Sequence, residues 1–262
     1  MRQFIRLVIY QLIAVISLHS ILYGQTKPLC DTCWDIKKLN TAVAASYMKN
    51  NEKEMILEIN KLRSNPGKYA EILYPYLVKA KYNLQKYGKG PRNYSLTSTY
   101  TTDYTSGGTK QVVKIDTTWH YINEEEVRAI ESLIVELKAM KPLTILKPSK
   151  GIYLAAKTHA LDQKPTGTIN HMGTDGSWPW DRIKKYAPEM REGNENIACG
   201  ENNAMEVVIQ LLIDSGIPGY GHRKTLINPE WTHCACYCVG VVNENVNCTH
   251  WIQDFGAVKM KK

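Results

Sequence analysis

The end of the chain decides what the rest can fold into. Tyr237 to Val242 and Thr249 to Val258 are β-prone runs separated by the turn-prone NENVN, and they read as two paired strands. The segments before them with a clear period are helical. Met55, Ile56, Ile59 and Leu62 share one helix face, and Asn65, Pro66 and Gly67 end it. A second helical stretch runs from Tyr69 to about Leu84. Glu124 to Met140 places Val127, Ile130, Leu133, Ile134 and Leu137 on one stripe, with glutamates in the first turn where the helix dipole favours them. Ile152 to Gln163 and the apolar Ala204 to Ile213 complete the set, and PLTILKPSKG is a connector. Strands with exposed ladders and helices with one greasy face must cover each other, so the expected class is α+β, helices layered on a sheet.

One segment departs from this pattern. Asn93 to Ile122 is rich in Thr, Tyr, Ser and Gly, and Gly107 and Gly108 sit between its two β-prone halves. It reads as an inserted hairpin at residues 93–122, a scaffold element before a binding ribbon.

The chain opens with two arginines and no acid, then a mostly apolar run from Leu7 to Gly24. Residues 1–25 read as a secretory signal peptide cut after Gly24 or Gln25, although Leu22 is not the small residue preferred near such a cut. Gln11 and His19 interrupt the run, which favours cleavage over an uncleaved signal anchor. A leader with a CxxC pair follows at 26–47, and the folded domain is expected over 48–262. The expected location is secreted, outside the cytoplasm. Loss of Arg2 and Arg6 lowers the formal charge from +8 to +6. The excess is dispersed, with no basic run and no nucleic-acid motif, so nucleic acid is excluded as a partner and membranes are touched only weakly or through an uncleaved anchor.

Seven cysteines fit an oxidising compartment. Cys30 and Cys33 form the CxxC pair, Cys199 is isolated, and Cys234, Cys236 and Cys238 alternate along HCACYCVGVV, with Cys248 just past the turn. Alternation puts three sulfurs on one face, from which a bond to Cys248 across a hairpin is the expected disulfide; a thiolate metal cluster is disfavoured because paired CxxC units are missing. NYS at Asn93 and NCT at Asn247 match the glycosylation sequon.

Acid and imidazole side chains recur beside Gly and Asn in the second half. INHMGTDGSWPWDR holds His171 and Asp175, GNENIACG holds Glu195, and DSGIPGYGHRK holds Asp214 and His222. Two imidazoles and two carboxylates suit zinc or a similar ion, though no compact motif such as HExxH is present. Each residue alone has a structural reading: Asp175 before Gly176 is a turn, and Glu195 can take bonds from loop amides. In the last stretch Gly216, Gly219 and Gly221 permit positive φ and Pro218 fixes one φ, so the loop is shaped to bring His222 back beside Asp214.

The ordered set HALDQ, NHMGTDGS, DR (Asp181, Arg182), GNENIACG, VVIQLLIDSGIPGYGHR, INP and WIQDFG resembles the CAP superfamily of cysteine-rich secretory, antigen 5 and pathogenesis-related 1 proteins, in its bacterial-type SCP form. The resemblance spans roughly Glu52 to Val258. It implies an α-β-α sandwich with a cleft lined by His171, Glu195, Asp214 and His222, a tetrad that binds zinc in some relatives through the positions of His171 and His222. Asp214 stands where many members carry Glu, and Leu211 where they carry Trp.

Three functions follow as expectations. A non-enzymatic module binding a lipid, a sterol or a protein partner is preferred. A zinc-dependent hydrolase using Glu195 as general base is the alternative, and it lacks an oxyanion hole or an activated Ser or Cys nucleophile. Cell-surface adhesion through the hairpin is the third.

Overall fold

The computed structural model describes residues 34–105, 108–200, 203–242 and 247–258, without the side chains of 95–116 and 241–248. The signal segment and the pair Cys30 and Cys33 lie outside the described residues. From Ile36 onward the chain packs as one unit. Its helices are α1 (Ile36–Leu39), α2 (Asn50–Ser64), α3 (Pro66–Tyr69), a 3-10 turn (Ala70–Leu73), α4 (Tyr74–Tyr87), α5 (Ile122–Ala139), α6 (Lys150–Gln163), α7 (Pro179–Tyr186), α8 (Ala204–Ile213) and α9 (Gly221–Leu226). The strands are β1 (Arg92–Thr105), β2 (Gly108–Tyr121), β3 (Lys147–Pro148), β4 (Met190–Gly200), β5 (His233–Val242) and β6 (Asn247–Val258). Among the described residues no helix is long and apolar enough to cross a membrane.

Helix ends follow local chemistry. Asn65 stops α2 and caps α3 by accepting from the Lys68 amide at 3.0 Å, with Pro66 at the first position where its missing N–H costs nothing. Ser149 and Asn203 cap α6 and α8 through their side-chain oxygens. The stripe on α5 is buried as expected, Ala129, Ile130, Leu133 and Leu137 completely, and each large side chain removed from water is worth about 1.5–3 kcal/mol.

The central sheet runs β3-β5-β6-β4, with β3 parallel to β5 and the rest antiparallel. The two expected terminal strands are therefore its middle, and β4 forms one edge. Helices α6 and α7 cover one face, while α2 and α8 cover the other with α5 behind α8. On the first face Tyr153 of α6 meets Tyr237 edge to face at 5.8 Å. On the second, Gln253 reaches the Met55 sulfur at 3.0 Å. The fold is an α+β sandwich of helices, sheet and helices.

Cys234, Cys236 and Cys238 also lie on the second face and are buried free thiols, which corrects the expected disulfide at these positions. Their side chains face α2, and two of them bond to it: the Cys236 thiol donates to the Glu52 carbonyl at 3.1 Å, and Asn51 donates to the Cys238 sulfur at 3.0 Å. Burial pushes the Cys234 thiol up to about 12. The side chain of Cys248 lies outside the described residues.

The segment expected to be inserted is a two-stranded ladder paired from Arg92↔Tyr121 to Thr105↔Gly108. At 14 residues a strand it is about 45 Å long. Its base is closed, since the amides of Ile122 and Asn123 donate to the carbonyls of Pro91 and Lys89.

Candidate functional site

The candidate residues gather on and around the edge strand β4, which sequence periodicity did not reveal as a strand. Successive residues of a strand face opposite ways. Glu195 points toward α6 and α7, and its neighbours Asn194 and Asn196 point toward α9, where they donate to the Thr225 hydroxyl at 3.1 Å and the His222 carbonyl at 3.2 Å.

On the first face, the loop before α7 is tied down residue by residue. The Asn170 carbonyl accepts from Nε2 of His159 at 2.7 Å and from Gln163, both on α6. Asp162 accepts from the amide and hydroxyl of Thr174, and Asp175 accepts from the Ser177 amide, so Asp175 is a turn residue. Hydrogen bonds from Ser177 lower the Asp175 carboxyl below its ordinary value. Arg182 then closes the loop, donating to the carbonyls of Ser177 at 2.7 Å and His171 at 3.0 Å and to Oε2 of Glu195 at 2.9 Å. The other oxygen of Glu195, Oε1, lies 2.9 Å from Nδ1 of His171. A carboxylate accepts, so Nδ1 carries the hydrogen and Nε2 is the free nitrogen. Glu195 is buried, while the His171 side chain is 42 % exposed.

On the second face, Asp214 ends α8 in the left-handed region with φ 53°, a conformation that Asp tolerates. Its Oδ1 takes Nδ1 of His222 at 2.7 Å, and Oδ2 takes the His222 amide at 2.9 Å. One carboxylate thus orients the ring and caps the start of α9. Gly216 and Gly219 have the expected positive φ, but the third such residue is Tyr220 and not Gly221. Tyr220 is held there by Arg223, stacked 3.9 Å from its ring centroid, and by its hydroxyl bond to Glu125 at 3.2 Å. Arg223 itself is buried and bonds the carbonyls of Leu212, Ile213 and Ala129, so the loop is bolted to α5 and α8.

The four side chains therefore form two imidazole–carboxylate pairs that reach β4 from opposite faces. Both carboxylates are spent on imidazole Nδ1 atoms and on other donors. Among the described residues no group of three or more His, Cys, Asp or Glu is spaced to hold a metal ion. The tetrad does not fit a four-ligand zinc centre. It fits two aligned rings, each with Nε2 unpartnered among the described residues.

Sequence reasoning missed the groups beneath His171. His159, Arg182 and Asp254 stand in motifs quoted above, HALDQ, DR and WIQDFG, and each is buried against Glu195. Burial lowers the His159 pKa, so that ring is neutral, with Nε2 donating to Asn170.

A cavity of about 450 Å³ adjoins the second pair. The loop residues Ser215, Gly216, Ile217 and Pro218 form one wall, and Asn93, Tyr94, His120 and Ile122 at the hairpin base form the other.

Comparison with known proteins gives the chain its relatives. Residues 58–255 match the model of the cysteine-rich secretory protein family, CAP. The uncharacterized protein YkwD of Bacillus subtilis (strain 168) is 29 % identical over 136 residues, 49 % of this chain and 48 % of that protein, so the chain spans about half the length of this curated relative. Among solved structures, an outer surface protein from Borrelia burgdorferi has 25 % identity and a TM-score of 0.39, covering 52 % of this chain and 95 % of the other. An extracellular protein containing an SCP domain from Bacillus anthracis (strain Ames) has 15 % identity and a TM-score of 0.35, covering 64 % and 65 %. With the family model matched across most of its length, the chain belongs to the cysteine-rich secretory protein (CAP) family.

Proposed function

We propose that the protein is an exported, non-enzymatic binding module whose ligand is an amphipathic small molecule, a lipid or sterol. One observation carries this reading: the loop that aligns His222 on Asp214 also walls the cavity at the hairpin base. A polar head would meet the His120 imidazole on the cavity wall, and an apolar body would rest on Ile217, Ile122 and Tyr94, all exposed. Mixed linings of a few convergent polar groups and apolar walls are what small-molecule sites use. Hydrolysis with Glu195 as general base has less support, because both of its oxygens are occupied and the side chain is buried.

Native mass spectrometry of protein extracted with its own membranes tests the proposal. A retained lipid that is lost in Ile217→Asp supports it. Ligand-free wild-type protein, or retention undiminished in the variant, refutes it.

The hairpin favours a second reading, adhesion. Tyr94 and Trp119 stand exposed on its basal face, 5.2 Å apart, with Arg92 over the Trp119 ring. Joining Pro91 to Ile122 would remove the arm and leave the closed base. Loss of cell-surface binding with unchanged melting of the remainder supports adhesion, and binding that survives the deletion excludes it.

A further inference from the structure

Beneath the His171 pair lies a buried set of groups that ligand binding does not require. Asp254 on β6 and Glu195 on β4 are direct cross-strand partners. Their side chains rise from the same face of the sheet, with Cβ atoms about 5 Å apart. Both are buried, Asp254 completely. The groups facing them come from every packed element: His159 from α6 with Asp162 beyond it, Arg182 from α7, His171 from the loop, and His250 from β6 itself.

The charges do not balance if both carboxyls are ionised. Arg182 is the one fixed cation in this set, and its NH2 already serves Glu195. Burial lowers the pKa of His159 and of His250, so both rings are neutral. Two carboxylates against one guanidinium would leave a net negative charge in the interior, where it is stripped of water and strongly unfavourable. Geometry adds a second difficulty: among the described residues, no donor gives a hydrogen bond to either oxygen of Asp254. The side chain within hydrogen-bond reach of it is the Glu195 carboxylate, which has no hydrogen to give.

One proton removes both difficulties. We propose that Asp254 is held as a neutral carboxylic acid whose O–H donates to the Glu195 carboxylate, making Asp254 the positioning residue that fixes Glu195 for His171. Glu195 then accepts from three directions: Arg182, Nδ1 of His171 and Asp254. A carboxylate so held cannot rotate, and the imidazole at the surface inherits that orientation. Desolvation and the neighbouring Glu195 both push the Asp254 carboxyl well above the usual carboxylate range, in agreement with this assignment. The assignment stands whether or not the cavity near His222 takes a lipid.

Infrared spectroscopy of the whole protein at pH 7 is the first test. The wild-type minus Asp254→Asn difference spectrum should contain the carbonyl stretch of one protonated carboxyl, and its absence overturns the proposal. Nitrogen NMR of the His171 ring is the second. The Asn amide can donate to Glu195 in place of the acid, so Asp254→Asn should keep Nδ1 protonated and the ring fixed, while Asp254→Ala should let the two tautomers average. A His171 spectrum unchanged in Asp254→Ala overturns the positioning role. Should the Ala variant fail to fold, the infrared comparison decides alone.

Discussion

Replacing Arg182 by Met probes the ion pair on which the first face of the site rests. The guanidinium is 4 % exposed and holds three partners at 3.0 Å or less: the carbonyls of Ser177 and His171, and Oε2 of Glu195. Methionine fills similar volume without the charge, so the loss is electrostatic and not a cavity. Removing one partner of a buried pair costs about 3–5 kcal/mol, because the other charge stays behind. The expected loss is therefore about 3–5 kcal/mol, a fall in melting temperature of roughly 6–20 °C for a chain of this size. Urea unfolding at pH 7, followed by circular dichroism, measures it. Glu195→Gln in the same background should recover at least about 1.5 kcal/mol, since it removes the stranded charge. A loss below about 1 kcal/mol, with no coupling to Glu195→Gln, would refute the view that Arg182 neutralises Glu195 in the interior.

Three further outcomes follow from the same geometry. Asp214→Ala should cost about 2–3 kcal/mol by orphaning the His222 amide and ring, and Asp214→Asn less, since Asn tolerates the left-handed conformation and can still accept; thermal melts separate the two, and equal losses would contradict the capping role. Thiol-specific labelling of native protein should leave Cys234, Cys236 and Cys238 unmodified until denaturant is added, because burial raises all three thiols, while peptide maps without reductant should recover Cys199 in a disulfide. Burial lowers the pKa of His159, His233 and His250, so the unfolded chain binds protons below about pH 6.5 that the folded chain excludes; stability is whole above that pH and falls as pH drops toward the folded values, and His159→Gln should reduce the slope between pH 6.5 and 5 by up to about 1.4 kcal/mol per pH unit in a urea series, an unaltered slope counting against a buried neutral ring.

The elements legible in the sequence are those whose information is local. The stripe on α5, the stop at Asn65 and Pro66, the span of Ala204–Ile213 and the pairing of the two β-prone halves of the hairpin each follow from sequence close at hand. Strand β4 is the counterexample. GNENIACG alternates polar with polar where a sheet usually alternates apolar with polar, because Glu195 and Asn196 are both buried and each is satisfied by a different helical layer. Its strand character comes from pairing with β6, more than fifty residues later, and no period within the segment announces that. The same distance hides Asp254: read along β6 it is a charge in an apolar strand, and only the register against Glu195 turns it into half of a pair.

This locates the cleft residues physically. Edge strands present unpaired backbone, and proteins guard such edges with charge or cover. Here the edge strand carries the acid that aligns His171 and, through Asn196, holds the backbone of His222, so the element hardest to read is the one that both imidazoles require. An Asn196→Ala variant separates cover from alignment: it removes the bond to the His222 carbonyl while leaving the Glu195 face of β4 intact. The expected result is a perturbed His222 ring and an unchanged His171 ring in nitrogen NMR. Equal disturbance of both rings would mean that the two faces move together and that β4 acts as a single rigid edge.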